Sequence, residues 1–409
     1  MTATLKFLFN TRFLCLLLPA AFCSARAQEA PAVQKGDPCG SKEELSGAAG
    51  KYYTAAQYPW PGVRAAYFEK MTTAADKATA RQTLEQIEKL EQQSRNNFTL
   101  RGGTWEALYS TEGYLYTSGK RLADYRFQAA FHEYLCINRK TDRNGEYSTV
   151  MRVYVNTLPL NTLSRYLTNA FSDNLQEYAY QDWKNVKPGT EAPKISLMGY
   201  LIERSAGLVD ALNSGKGYWQ DTPESAIRKD TYDHIYRYWL IQKAGIPVLI
   251  PVNRKAYLES LLEYYEREKL LLTKATKSTP PERVQKMYGN DWMAILEEKK
   301  ATVNRVLQEN TADWLAQQAV VNPDEDLYQN QKQNLPEYSS SFTFRKFYDG
   351  EKKSWPLFRY NPAYFQGQNA ASPQFITLVF RFVSRPVHLR LVTNFTDNFD
   401  RSAWEKLLR

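Results

Sequence analysis

Tyr125-Arg126-Phe127-Gln128-Ala129-Ala130-Phe131-His132-Glu133-Tyr134-Leu135-Cys136-Ile137 is the stretch on which the fold turns. Tyr125, Phe127, Ala129, Phe131, Glu133, Leu135 and Ile137 share one face of an extended chain. Arg126, Gln128, His132 and Tyr134 share the other, more polar one, the period of two that marks a strand with one side towards a core. The polar run from Lys140 to Gly145, with Asn144-Gly145 at its end, has turn chemistry, and Val150 to Val155 returns as the partner strand. The pattern predicts an antiparallel β-hairpin.

Before the hairpin, Ala80, Leu84, Ile87 and Leu90 recur at helical spacing between Thr73 and Asn96, and Gly102-Gly103 closes that region. After it, His234 to Ile241 and Ile246 to Val252 read as a second pair of strands turned by Lys243-Ala244-Gly245. Asn253 then reads as the N-cap of a helix carrying Tyr257, Leu258, Leu261, Leu262 and Tyr265 on one side, as far as Lys274. Pro280-Pro281 breaks the chain. A second helical region follows through Met293, Leu296, Val303, Leu307 and Leu315 to Val321, with Gly289 as a point for a kink. Together these predict a long antiparallel helical hairpin. Near the C-terminus, Phe375 to Val383 alternates as a strand, and Val387 to Val392 reads as its neighbour across Arg385-Pro386. A final helix from Ser402 to Leu408 turns Trp404, Leu407 and Leu408 inward.

The expected class is α+β: antiparallel β-hairpins and sheets, a long antiparallel helical hairpin, and a small C-terminal β–α segment. The expected organisation is a leader (1–27), a flexible tether (28–50), an N-terminal α+β domain (51–190), a β-hairpin plus helical-hairpin region (191–321), a polar linker or surface loop (322–341) and a C-terminal strand-rich segment (342–409). Val153-Tyr154-Val155-Asn156, Ile250-Pro251-Val252-Asn253 and Leu391-Val392-Thr393-Asn394 each end a predicted strand in asparagine. Three related units would produce this recurrence, and so would chance.

The leader directs the chain out of the cytoplasm. Lys6 and Arg12 precede a short apolar run, Phe13 to Leu18 and Ala20 to Phe22, and Ala25-Arg26-Ala27 is a small-x-small cleavage pattern leaving Gln28 as N-terminus. Pro19 interrupts the run, which is too short to span a bilayer, and no later segment offers an integral membrane span. Ala20-Ala21-Phe22-Cys23 has the outline of a lipoprotein box with a bulky Phe22 where a small residue is needed. The expected location is the periplasm or the exterior. Removal of the leader takes three of 53 basic residues and none of the 44 acidic ones, leaving a net +6. No basic stripe stands out in the sequence, so nucleic acid is not an expected partner.

Cys39 and Cys136 are the two cysteines left after processing. Export makes a bridge between them one reading, and two separate thiols, with Cys136 packed in a sheet, the other.

Motifs for nucleophilic, metal or cofactor chemistry are missing from the sequence, so no catalytic residue, metal ligand or cofactor is assigned. Of the three histidines, His132 is adjacent to Glu133 on a strand, so the two side chains point to opposite faces. Asp230-Thr231-Tyr232-Asp233-His234 reads either as a polarised imidazole or as the polar start of a strand. His388 alternates with Arg390 and is expected to face solvent. A carboxylate pair is the remaining catalytic route, and Glu106, Glu112, Asp124 and Glu133 all lie in the aromatic first block.

The one compositional excess is aromatic, 14% of the chain with 28 tyrosines and 9 tryptophans, concentrated in Trp105–Tyr116, Tyr232–Trp239 and Phe342–Phe365. Such rings either fill sheet cores or line half-wet binding surfaces. Trp105, Tyr114, Tyr116, Tyr236 and Trp239 are the candidate ligand-binding residues. The expectation is an exported, soluble binding or interaction protein that engages a glycan or an envelope protein. Its rival is an envelope polysaccharide hydrolase using a carboxylate pair.

Overall fold

The structure is a computed structural model that describes residues 38–117, 120–158, 163–166, 196–204, 206–214, 218–220, 234–278, 280–288, 291–323, 343–365 and 369–408. Its strands are β1 (Lys51–Tyr53), β2 (Gly103–Thr117), β3 (Lys120–Ile137), β4 (Lys140–Arg143), β5 (Thr149–Val155), β6 (Leu163–Arg165), β7 (Tyr200–Glu203), β8 (Tyr218–Gln220), β9 (His234–Ile241), β10 (Leu249–Pro251), β11 (Val320–Val321), β12 (Trp355–Tyr360) and β13 (Ile376–Val383). The helices are α1 (Lys42–Gly47), α2 (Pro61–Ala65), α3 (Ala74–Ser94), α4 (Leu208–Asn213), α5 (Arg254–Ser278), α6 (Pro281–Tyr288), α7 (Trp292–Glu309), α8 (Ala312–Ala316), α9 (Pro386–Asp397) and α10 (Arg401–Glu405). The class is α+β with mostly antiparallel strands.

The predicted hairpin forms the middle of an eight-stranded sheet in the order β1-β2-β3-β5-β13-β9-β8, with β4 paired to the end of β3. Phe127 lies opposite Val153 and Ala129 opposite Met151, so the apolar sides of both strands coincide. The long β2–β3 ribbon slips register between Thr111 and Gly113, a bulge that Gly113 accommodates at φ +100°. Helices α3, α9 and α10 cover one face, where Phe127, Phe131, Trp105, Phe380, Phe395 and Trp404 form the main core. Thr73 caps α3 by accepting from the Asp76 amide, and Ala80, Leu84 and Ile87 are its buried stripe, as the periodicity predicts.

Part of the opposite face packs on a second layer. Tyr236, Tyr238, Leu240 and Val379 meet α4 and the edge of a five-stranded sheet ordered β10-β12-β7-β6, with β11 on β12. The helical hairpin packs on that small sheet through Tyr257, Leu261, Leu296 and Val303. Ion pairs Lys269–Glu297 and Lys300–Glu266 run in opposite sequence order and so show α5 and α7 to be antiparallel. Asn253 caps α5 as expected, its side chain accepting from the Ala256 amide at 2.8 Å. The second helical region is split into α6, α7 and α8, and Gly289 lies outside the described residues.

Several expectations are overturned. Val387 to Val392 is not a strand but part of α9, with Pro386 at its first turn and His388, Leu391, Val392 and Phe395 buried at helical spacing. Its presumed partner β13 has no free edge, being bonded to β5 on one side and β9 on the other. The same occupancy separates Ile246–Val252 from His234–Ile241. Strand β9 is already flanked by β13 and β8, so β10 pairs with β12 instead. The asparagine recurrence dissolves into three roles. Asn156 ends β5 in the left-handed region at φ +64°, Asn253 caps a helix, and Asn394 sits inside α9 donating to Ser94 and Arg95 carbonyls.

The tether and the segment 342–409 do not stand apart either. Residues 28–37 lie outside the described residues, but the rest of 28–50 includes α1 and a Cys39–Cys136 disulfide that ties it to β3. Segment 342–409 supplies the central strand β13. Of the expected linker, residues 324–341 lie outside the described residues.

The bridge spans a sequence separation of 97 residues. Reduction, or Cys136→Ala, is expected to lower the unfolding free energy by up to ~4–5 kcal/mol on the chain-entropy account, read by urea titration with and without reductant.

Candidate functional site

Most of the aromatic candidates face inward. Trp105 is in the main core, its indole nitrogen donating to Glu91 at 3.0 Å. It lines a cavity of about 20 Å³ with Tyr52, Glu91, Arg95 and Phe380, too small for any sugar. Trp239 packs on Phe395 and Phe399, and Tyr236 stacks on Tyr238, both buried. Tyr114 is half-buried, donating to Asp76 at 2.7 Å with the Arg121 guanidinium stacked 3.3 Å above its ring. These four are therefore positioned as packing residues. The side chain of Tyr116 lies outside the described residues.

Of the four carboxylates, Glu133 and Glu106 lie on opposite faces of the sheet, and Glu112 lies near Asp124. Glu133 is on the helix-covered face, bonded to His388 Nε2 at 2.5 Å and to Arg385 at 3.0 Å. His388 is fully buried rather than solvent-facing. A carboxylate only accepts, so Nε2 carries a proton, and Nδ1 lies 2.6 Å from the Thr149 hydroxyl. The chain of Thr149, His388 and Glu133 has the order of a hydrolytic relay, but Thr149 is as buried as the histidine, so no substrate reaches the hydroxyl. The network ties α9 to β3 and β5. The His388 bond is the main reason the Glu133 carboxyl is held below its ordinary value.

Glu106 lies on the opposite face, 1% exposed. Its Oε1 accepts from the Thr104 hydroxyl at 2.7 Å and lies 3.2 Å from Arg143, while Oε2 makes no hydrogen bond and lies 3.9 Å from His132 Nε2. Burial holds the His132 imidazole below its usual value, and His132 and Glu133 do point to opposite sides of β3.

Glu112 and Asp124 are the two acids that the structure brings into electrostatic contact, across the bulge where Gly113 opposes Asp124. Their protonation diverges. Bonds to Lys70 and Ser110, with the Arg126 charge, hold Glu112 low, whereas burial, reinforced by the charge of Glu112, pushes Asp124 up to about 6.

Beyond this pair runs a feature that the linear sequence does not display. Arg126 on β3, Arg152 on β5 and Arg381 on β13 all project from the face opposite the helices. Each is displaced by two residues from the previous one: Arg126 opposes Tyr154, Arg152 opposes Gln128, and Arg381 opposes Val150. Such diagonal neighbours lie ~7–8 Å apart. The three side chains are half-buried.

Arg126 pairs with Glu112 at 3.2 Å and lies beside the Tyr154 ring. Arg152 donates to Gln128 at 2.9 Å and to the Tyr147 hydroxyl at 3.2 Å. Arg381 donates to the Tyr147 carbonyl at 3.2 Å and lies 5.6 Å from its ring. Tyr147 thus holds two guanidinium groups apart, and it also meets His132 edge-on. Among the described residues, the hydrogen-bond partners of Arg152 and Arg381 are neutral. The Nε atoms of Arg126 and Arg381 are buried with no hydrogen-bond partner among the described residues.

Asp230 to Asp233 lie outside the described residues, and His234 opens β9. Among the described residues no helix is long and apolar enough to cross a membrane. Comparison with protein-family models, curated proteins and solved structures returns no match to this chain.

A group whose folded pKa is raised contributes fully below its unfolded value and loses that contribution as pH rises through the folded one. Asp124→Asn is therefore expected to raise stability at pH 8, by about 2–3 kcal/mol, and to leave it unchanged below pH ~4. Thermal unfolding of both proteins at the two pH values checks this.

Proposed function

We propose that this is an exported binding protein that engages a glycan or another envelope component through the polar face of its large sheet. The observation that carries the reading is the row of half-buried arginines with Tyr147 and Tyr154 beside them. The arginines stand on paired strands, Arg152 and Arg381 are oriented by Tyr147 in the loop before β5, and arginine and tyrosine favour partly wet recognition surfaces. The small-x-small pattern at Ala25-Arg26-Ala27 supports export, to the periplasm or beyond.

One observation favours the second reading, an envelope polysaccharide hydrolase. Glu112 and Asp124 are neighbouring carboxyls with protonation pushed apart, the division of labour that a general acid and a base or nucleophile require. Against it stands the commitment of Glu112 to Lys70 at 2.8 Å and Arg126 at 3.2 Å, which occupies the charge a nucleophile would use.

The discriminating experiment incubates the chain from Gln28 onward with insoluble polysaccharides and cell-wall material. Retained protein and released sugar are measured together. Retention without release is expected. Release abolished by Glu112→Gln or Asp124→Asn would establish the hydrolase instead.

A further inference from the structure

We infer that the diagonal of Arg126, Arg152 and Arg381 is a binding track for an acidic polysaccharide, one that carries carboxylate or sulfate groups at intervals along its chain. This rests on the glycan-binding reading above and names the class of glycan.

Charge comes first. Three guanidinium groups stand on neighbouring strands, and the acids that act on them, Glu112 and the buried Asp124, are both at the Arg126 end, Glu112 being shared with Lys70. Arg152 and Arg381 are oriented by Gln128 and by the hydroxyl and carbonyl of Tyr147, neutral groups that fix direction without cancelling charge. A half-buried arginine held in this way presents its remaining donors as a fork that matches the two oxygens of a carboxylate or sulfate.

Geometry argues for a polymer rather than a compact anion. The two diagonal steps span ~15 Å, so a single phosphate or sulfate does not reach all three arginines. A linear chain lying across β3, β5 and β13 reaches all three. Tyr154, packed partly against the second layer, lies beside Arg126, and Tyr147 lies beside Arg381, so aromatic rings accompany the charges along the track. Glu112 marks one end of the track, repelling a further acidic group there.

The test is titration of the chain from Gln28 with soluble polygalacturonate, dextran sulfate and unmodified dextran, with single-stranded DNA as a second polyanion. Binding to one or both acidic polysaccharides is expected, stronger than to dextran and to DNA and weakened by salt. Polygalacturonate against dextran sulfate tells carboxylate from sulfate. Arg152→Gln with Arg381→Gln is expected to weaken that binding by roughly tenfold or more. The lysine pair Arg152→Lys with Arg381→Lys, which keeps charge but loses the fork, is expected to fall in between.

The control Lys42→Gln with Lys352→Gln removes two exposed charges elsewhere and is expected to change affinity by less than about twofold. An equal loss in that control, or no loss in the arginine pair while its melting curve stays cooperative, would overturn the track. Equal affinity for dextran would overturn the acidic class and leave glycan binding standing. Binding to none of the polysaccharides would overturn both, and preference for DNA would replace the ligand class altogether.

Discussion

Strand β13 is bonded along its whole length to β9 on one side and along most of it to β5 on the other. A strand so placed has no free amides or carbonyls to offer elsewhere, and both of its faces must be covered. Leu378, Phe380 and Phe382 fill one side against α9 and α3, and Phe375 and Val379 belong to the layer on the other. Without β13 the long hairpin would end in an open edge at β5, and β9 would have no neighbour connecting it to the rest. The chain therefore closes its main sheet with one of its last segments, which is why the sheet does not follow the order of the sequence.

Polar contacts then lock the helices to this sheet. On α3, Glu88 accepts from the Tyr109 hydroxyl at 2.5 Å and from the Ala55 amide at 2.9 Å, and Glu91 accepts from Trp105 and Arg95. On α9, His388 bridges Glu133 and Thr149. Buried polar groups are costly unless they are hydrogen-bonded, so each of these contacts favours one relative position of helix and strand. Their effect on the candidate site is indirect. With one face clamped, the other is a stiff platform on which long arginine side chains keep their spacing.

The diagonal on that platform follows from pairing geometry. Residues of one parity on neighbouring antiparallel strands come to the same face, and a shift of two residues per strand keeps parity while moving along the sheet. Arginines at 126, 152 and 381 have nothing in common as positions in a chain. They become a row only because β3, β5 and β13 adopt a particular register. The row crosses strands instead of running along one, so it leaves no basic stripe in the linear sequence.

What the sequence determines by itself is local. The alternation in 125–137, the helical spacing in 73–96, Asn253 as a cap, the proline break at 280–281 and the inward Trp404 are all fixed by backbone periodicity and capping chemistry within a few residues, and the structure contains each of them. Val387 to Val392 was ambiguous at that range, because a short apolar run fits either period until the edges of β13 are known to be occupied. The choice between core and surface for Trp105, Tyr236 and Trp239 was equally out of reach, since a strand with rings on both faces does not say which layers cover it. Tertiary structure decided strand order, the burial of His388, the electrostatic proximity of Glu112 to Asp124 and the alignment of the three arginines. Each depends on contacts between residues far apart in the chain, whose register is set by the packing of whole elements and not by their neighbours in sequence.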